Sequence, residues 1–127
     1  MMSAMTVLTR PPAGSTPTRA DVQAAAVWLR DRAVQTPVVR SAALDRIAGA
    51  RLWLKAENLQ TTGSYKFRGA MCAVDQVARE GRHTGLIAQS TGNHAIAVAA
   101  AARQYGLSAT VVLPADAPAG KVRRAEE

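Results

Sequence analysis

Between Gly85 and Pro114 the sequence leaves the chain few ways to fold. "GLIAQS" (Gly85–Ser90) is a short apolar strand, and "TGN" turns it into an alanine-rich helix from His94 to Tyr105 that Gly106 stops. "SATVVLP" (Ser108–Pro114) follows as a β-branched, buried-type strand. Two strands joined through a helix with joints this short form a βαβ unit, so they must lie parallel. The fold class is therefore α/β with an open parallel sheet.

The upstream sequence adds elements that can flank such a sheet. "TRAD" has the Thr-x-x-acid spacing of a capping box, with Thr18 as cap and Asp21 reaching back. Val22, Ala25, Ala26 and Leu29 then form an apolar helical face, and Pro37 in "TPVV" is expected to end that helix. Leu44 to Ala48 reads as a short helix closed by Gly49. "RLWLKAE" (Arg51–Glu57) alternates with Leu52, Leu54 and Ala56 on one side, which predicts a strand. After the loop "NLQTTGS", a helix is expected from Ser64 through Ala78, closing at Gly81, with the Ser64 hydroxyl capping the N–H of Phe67. Gly69 costs that helix roughly 1 kcal/mol relative to alanine, so something else must want it small. Met1 to Pro17 looks like a loose arm. At the other end "KVRRAEE" begins a helix at Lys121 with no strand after it, and the sequence looks cut off.

Composition narrows the function classes. The chain's 127 residues suffice for one small domain, and 48% hydrophobic content with 4% aromatics predicts a core of aliphatic residues and alanine. The net charge of +7 comes from dispersed cations, with no run of five and no interleaved aromatics. That argues for a solvated surface preferring anions and against nucleic acid. Cys72 is the single cysteine, no signal-peptide core opens the chain, and no apolar stretch reaches about 18 residues. The expectation is a soluble, cytoplasmic protein with no membrane partner.

Two stretches carry candidate chemistry. In "QSTGNHA", Gly92 and Asn93 lie between a strand end and a helix start, where ligands sit in open α/β sheets. The helix start offers unpaired N–H groups to a carboxylate or phosphate, while Ser90, Thr91 and Asn93 add polar side chains. The same residues also read as an ordinary capped turn. In "TTGSYKFRGA", Lys66 falls in the first turn of a helix, where the dipole disfavours a cation. Partial burial and the nearby Arg68 would lower its pKa and make the amine nucleophilic. A lone lysine is also an ordinary solvated cation, and the residues by themselves leave both readings open. His83, His94 and Cys72 have no metal-ligand spacing. "GSYK" is no Walker loop, and no Gly-x-Ser-x-Gly elbow occurs.

Taken together, "KAENLQTTGSYKFRGA" and "STGNHAIAVAAAARQYGLSATVVLPADAP" resemble the fold type II pyridoxal-phosphate enzymes, most closely the threonine/serine dehydratases (threonine ammonia-lyases) and related serine racemases. The resemblance runs from about Thr36 to Lys121. It implies a three-layer open parallel sheet of the tryptophan-synthase-beta-like type, incomplete in this chain. Residues 18–60 would belong to the large domain and 61–127 to the first part of the small cofactor and substrate domain. It implies pyridoxal 5'-phosphate as cofactor, Lys66 as the Schiff-base lysine and α-proton base, and Asn93 as hydrogen-bond partner of the cofactor's 3′-oxygen. Ser90, Thr91, Gly92, Asn93 and His94 would clasp the substrate carboxylate. The implied reaction deaminates threonine or serine to a 2-oxo acid and ammonia, in a homo-oligomer at full length.

Several positions depart from the pattern. Tyr65 stands where the family usually has phenylalanine, and Ile96 replaces a common glutamine. Thr91 stands where racemases carry a serine base, which disfavours racemisation, and His94 argues against cysteine and threonine synthases. The family's phosphate loop and the partner of the pyridine nitrogen lie in its C-terminal half. The chain is therefore expected to be an N-terminal fragment, binding cofactor weakly or not at all and inactive alone. The alternatives are another fold type II activity, a racemase or β-replacement synthase, and a non-catalytic remnant.

Overall fold

In the computed structural model, which describes residues 16–81, 84–90 and 92–126, apolar burial concentrates where two helices meet. The expectations for Thr91, for His83 and for most of the N-terminal arm lie outside the described residues. Helix α3 (Lys66–Glu80) buries Phe67, Ala70, Met71 and Val74, the i, i+3, i+4, i+7 spacing of one helical face. Helix α4 (Asn93–Gln104) buries Ala95 through Val98 together with Ala101 and Ala102. Phe67 and Ala97 are both fully buried, so the alanine face of α4 lets the larger side chains of α3 sit close to its backbone. Helix α1 (Arg19–Leu29) adds Trp28 and Leu29 to the same cluster.

The βαβ unit forms as read. Strands β3 (Gly85–Gln89) and β4 (Ser108–Val112) pair in parallel, in register from Gly85–Ser108 to Gln89–Val112. Leu86, Ala88 and Ala109 pack on the core, whereas Ile87 on the opposite face is 82% exposed. Helix α5 (Ala119–Glu126) packs against α4. A second, antiparallel pair joins β1 (Val38–Val39) to β2 (Leu54–Lys55), with helix α2 (Ala42–Ala48) between them in sequence. The result is a partial open sheet with helices, in keeping with the α/β class.

The helix ends show which local signals prevailed. Thr18 and Asp21 form the reciprocal capping box. Gly81, with φ 65°, closes α3 as expected. Helix α1 ends at Leu29, short of Thr36, because Arg32 and Ala33 both donate to the Leu29 carbonyl while the Arg32 side chain donates to Trp28 O. The strand expected over Arg51–Glu57 reduces to its two paired residues, and Glu57 opens a 3-10 turn to Leu59. Ser64 is not the cap of α3; that place falls to Tyr65, with no side-chain cap bond, and Ser64 Oγ is buried without a hydrogen-bond partner among the described residues.

Farther along α3, the buried Asp75 accepts from Tyr105 Oη at 3.0 Å and from Arg79 Nε at 2.7 Å. Burial, reinforced by the bond to Asp75, pushes the Tyr105 hydroxyl up to about 12. This cluster ties the middle of α3 to the end of α4.

Gly69 is exposed, and a Cβ placed on it would meet nothing within 4 Å. Among the described residues, nothing therefore accounts for its small size. Gly69→Ala should raise stability by about 0.5–1 kcal/mol through helix propensity, measured by urea unfolding. An unchanged or lower stability would show that the position is constrained by packing.

Candidate active site

The segment leading into Lys66 is held by side chains. Gln60, 4% exposed, meets the backbone of Val34 as a neighbouring strand would: Nε2 donates to Val34 O at 2.9 Å, and Oε1 accepts from Val34 N at 2.9 Å. Glu57 accepts the Thr36 hydroxyl on Oε1. Arg68 meets the same carboxylate with two bonds, Nε to Oε2 at 3.0 Å and Nη2 to Oε1 at 2.8 Å, and Nη2 also donates to Val34 O at 2.8 Å. The paired fork is the strong geometry for guanidinium and carboxylate. The hydrogen bond from Arg68 holds the Glu57 carboxyl down to about 2, with Thr36 and Lys55 adding to it against the opposing effect of burial.

Lys66 is the first residue of α3 and is exposed, contrary to the partial burial expected from its sequence context. Arg68 is turned to Glu57, so its charge is paired there. The Lys66 ammonium lies 5.3 Å from the centroid of the Tyr65 ring, and among the described residues it has no hydrogen-bond or ion-pair partner. The amine is thus free to meet a carbonyl.

The second stretch begins at the carboxyl end of β3. Ser90 Oγ accepts the Gly92 N–H at 3.1 Å, which shapes the turn, and Gly92 caps α4 without a side-chain bond. Asn93 and His94 open the helix with both residues exposed. Asn93 is therefore the first helical residue and not a side-chain cap, which leaves its carboxamide available. A cavity of about 210 Å³ between α3, β3 and α4 is lined by Gly69, Ala70 and Ala73 on one side and Leu86, Ala88 and His94 on the other. Gly69, in the first turns of α3, and His94, at the start of α4, thus face the same cavity. Ser90, Gly92, Asn93 and His94 all lie at this strand-to-helix turn. Among the described residues no group of three metal-type ligands occurs, and no helix is long and apolar enough to cross a membrane.

A helix start at the carboxyl end of a parallel strand is suited to an anion, and an accessible primary amine to a carbonyl. The family model described as "Pyridoxal-phosphate dependent enzyme" matches residues 29–127, and the chain belongs to that family, whose cofactor is pyridoxal 5'-phosphate. The chain is 48% identical over 107 residues to an L-threo-3-hydroxyaspartate ammonia-lyase of Pseudomonas sp, covering 84% of this chain and 34% of that protein. The crystal structure of a threonine deaminase from T.th. superposes with a TM-score of 0.74 at 44% identity, covering 87% of this chain and 34% of the other. The structure of a pyridoxal 5'-phosphate-dependent aspartate racemase reaches a TM-score of 0.78 at 37% identity over 86% of this chain and 35% of its own. The fold is the fold type II one, and the chain spans about a third of the length of these relatives.

An exposed amine at Lys66 and an exposed carboxamide at Asn93, neither bonded among the described residues, are groups of the kind that suit the aldehyde end of that cofactor. Sequence reasoning missed Glu57 and Gln60, which shape the approach to Lys66. No short-range pattern marks them, because their partners lie at Val34, Thr36 and Arg68.

The low pKa of Glu57 has a stability consequence. A carboxyl lowered from 4.5 to about 2 contributes stability fully above its unfolded value and loses it as pH falls through the folded one. Glu57→Gln should therefore lose less stability than wild type between pH 4.5 and 2, and should be about 1–2 kcal/mol less stable near neutrality. Parallel acid-unfolding curves for the two proteins would contradict this.

Proposed function

We propose that this chain carries the lysine and asparagine side of a pyridoxal-phosphate-dependent ammonia-lyase site that deaminates a β-hydroxy amino acid to a 2-oxo acid and ammonia. The observation that carries the reading is the exposed amine of Lys66 at the start of α3, which has no hydrogen-bond or ion-pair partner among the described residues. Lys66 would hold the cofactor through its amine, and Asn93 through its carboxamide. When bound, pyridoxal 5'-phosphate supplies an electron sink for the pair left behind at the α-carbon.

The chain's own residues account for the rest. The first amides of α4, with the adjoining Ser90, Thr91 and His94 of the same stretch, receive the substrate carboxylate, because a helix N-terminus presents N–H donors and partial positive charge. Lys66 Nζ would take the α-proton and pass a proton to the departing β-hydroxyl, which leaves as water; the enamine so released takes up water to give the 2-oxo acid and ammonia. The ammonia-lyase and deaminase relatives support a substrate bearing a β-hydroxyl, which leaves threonine, serine and 3-hydroxyaspartate as the panel. A racemase is the second reading, favoured by the superposition with the aspartate racemase.

In the protein expressed from its own gene and supplied with pyridoxal 5'-phosphate, each panel substrate should be assayed for 2-oxo acid, ammonia and the opposite enantiomer. The lyase reading expects 2-oxo acid and ammonia in equal amounts. Lys66→Ala should reduce turnover by at least about 10³-fold, and Asn93→Ala by about tenfold. Enantiomer without ammonia would establish the racemase. Turnover that survives Lys66→Ala, or no product from any substrate, would overturn the proposal.

A further inference from the structure

Helix α3 carries two charged clusters, and they stand in different relations to Lys66. At its start, Arg68 forks onto Glu57 and also donates to Val34 O. Farther along, Asp75 accepts from Arg79 and Tyr105. At 1.5 Å of rise per residue, Arg68 lies about 3 Å along the axis from Lys66, and Asp75 about 13 Å.

The first turn of α3 has little else to hold it. Tyr65 gives no side-chain cap, and the buried Ser64 hydroxyl has no hydrogen-bond partner among the described residues. Phe67 N and Arg68 N reach back only to Ser64 O at 3.4 Å and Tyr65 O at 3.1 Å, the tighter i to i−3 pattern. Uncapped helix ends fray, and here the end carries two cations where the helix dipole is itself positive. Two contacts oppose that fraying within the turn: the fully buried Phe67 ring and the Arg68 fork. The ring fixes the inward face. The fork fixes rotation of the outward face, where Lys66 is exposed, and ties it to segments 34–36 and 57–60.

We propose that Arg68, held by Glu57 and Val34 O, is a positioning residue for Lys66, keeping the first turn of α3 in the one orientation that presents the amine to an incoming carbonyl. This rests on the reading of Lys66 as the carbonyl-reactive lysine. The Asp75 cluster stabilises the same helix without orienting that turn, which makes it the natural comparator.

The chain has three lysines, Lys55, Lys66 and Lys121, so each can be followed separately. The protein is incubated with pyridoxal 5'-phosphate and reduced with borohydride, which fixes adducts as stable secondary amines. Peptide mass mapping then gives the rate at Lys66 relative to Lys121, alongside the thermal midpoint of each variant. Arg68→Met and Glu57→Gln should each lower that ratio about tenfold. The double variant should do the same, and it folds without leaving either charge unpaired. Asp75→Asn should leave the ratio unchanged even where its midpoint falls as far.

An equal loss in Asp75→Asn at matched midpoint would reduce Arg68 to a general stabiliser and overturn the proposal, as would an unchanged ratio in the double variant. If wild-type Lys66 reacts no faster than Lys121, the reading of Lys66 itself fails, and the positioning role fails with it.

Discussion

The packing of α3 on α4 is the constraint that the rest of the structure depends on. Phe67 and Met71 are the large, fully buried side chains, and they close against Ala97, Val98 and Ala101. Burying side chains of that size contributes about 2–3 kcal/mol each, and alanine opposite them lets the two helices approach closely. Since β3 and β4 dock on α4, and Trp28 and Leu29 of α1 join the same cluster, one interface sets the placement of most elements. It also fixes the helix starts that carry Lys66 and Asn93 relative to each other.

Hydrogen bonding divides the remaining work. Buried polar groups are costly unless paired, and the segment between Ala56 and Ser64 is rich in them. Gln60 substitutes its carboxamide for a strand neighbour of Val34, and Glu57 gathers Thr36 and Arg68 around one carboxylate. What reads as a loop is thereby joined to the segment after α1 and to the first turn of α3. Lys66 stands apart from this network with its amine free. On the proposed reading its amine must stay uncommitted, and the charge of Arg68 is absorbed by Glu57 instead.

Much of this is legible in the sequence, and the reasons differ element by element. The βαβ unit shows because its signals are local: β-branched strands, an alanine-rich helix and glycines at the turns. The capping box at Thr18 and the end of α3 at Gly81 are legible on the same grounds. The end of α1 is not, because Arg32 closes the helix with its side chain well before Pro37. Alternation over Arg51–Glu57 suggests a longer strand, but Glu57 is drawn into the contact with Arg68, a tertiary demand that local pattern does not carry. Ser64 looks like a cap for the same reason that any serine before a helix does. In the site, Lys66 and Asn93 stand out through motif and resemblance, whereas Glu57 and Gln60 do not, since their meaning depends on partners brought together only by folding.

The central claim is that Lys66 supplies a reactive amine to the cofactor. The most direct measurement is a titration of pyridoxal 5'-phosphate into the wild-type protein and into Lys66→Ala, following the visible absorption of the cofactor. A saturable spectral change in wild type that is absent from Lys66→Ala is the predicted result. The same change in both proteins would place the reactive amine elsewhere and contradict the assignment of Lys66.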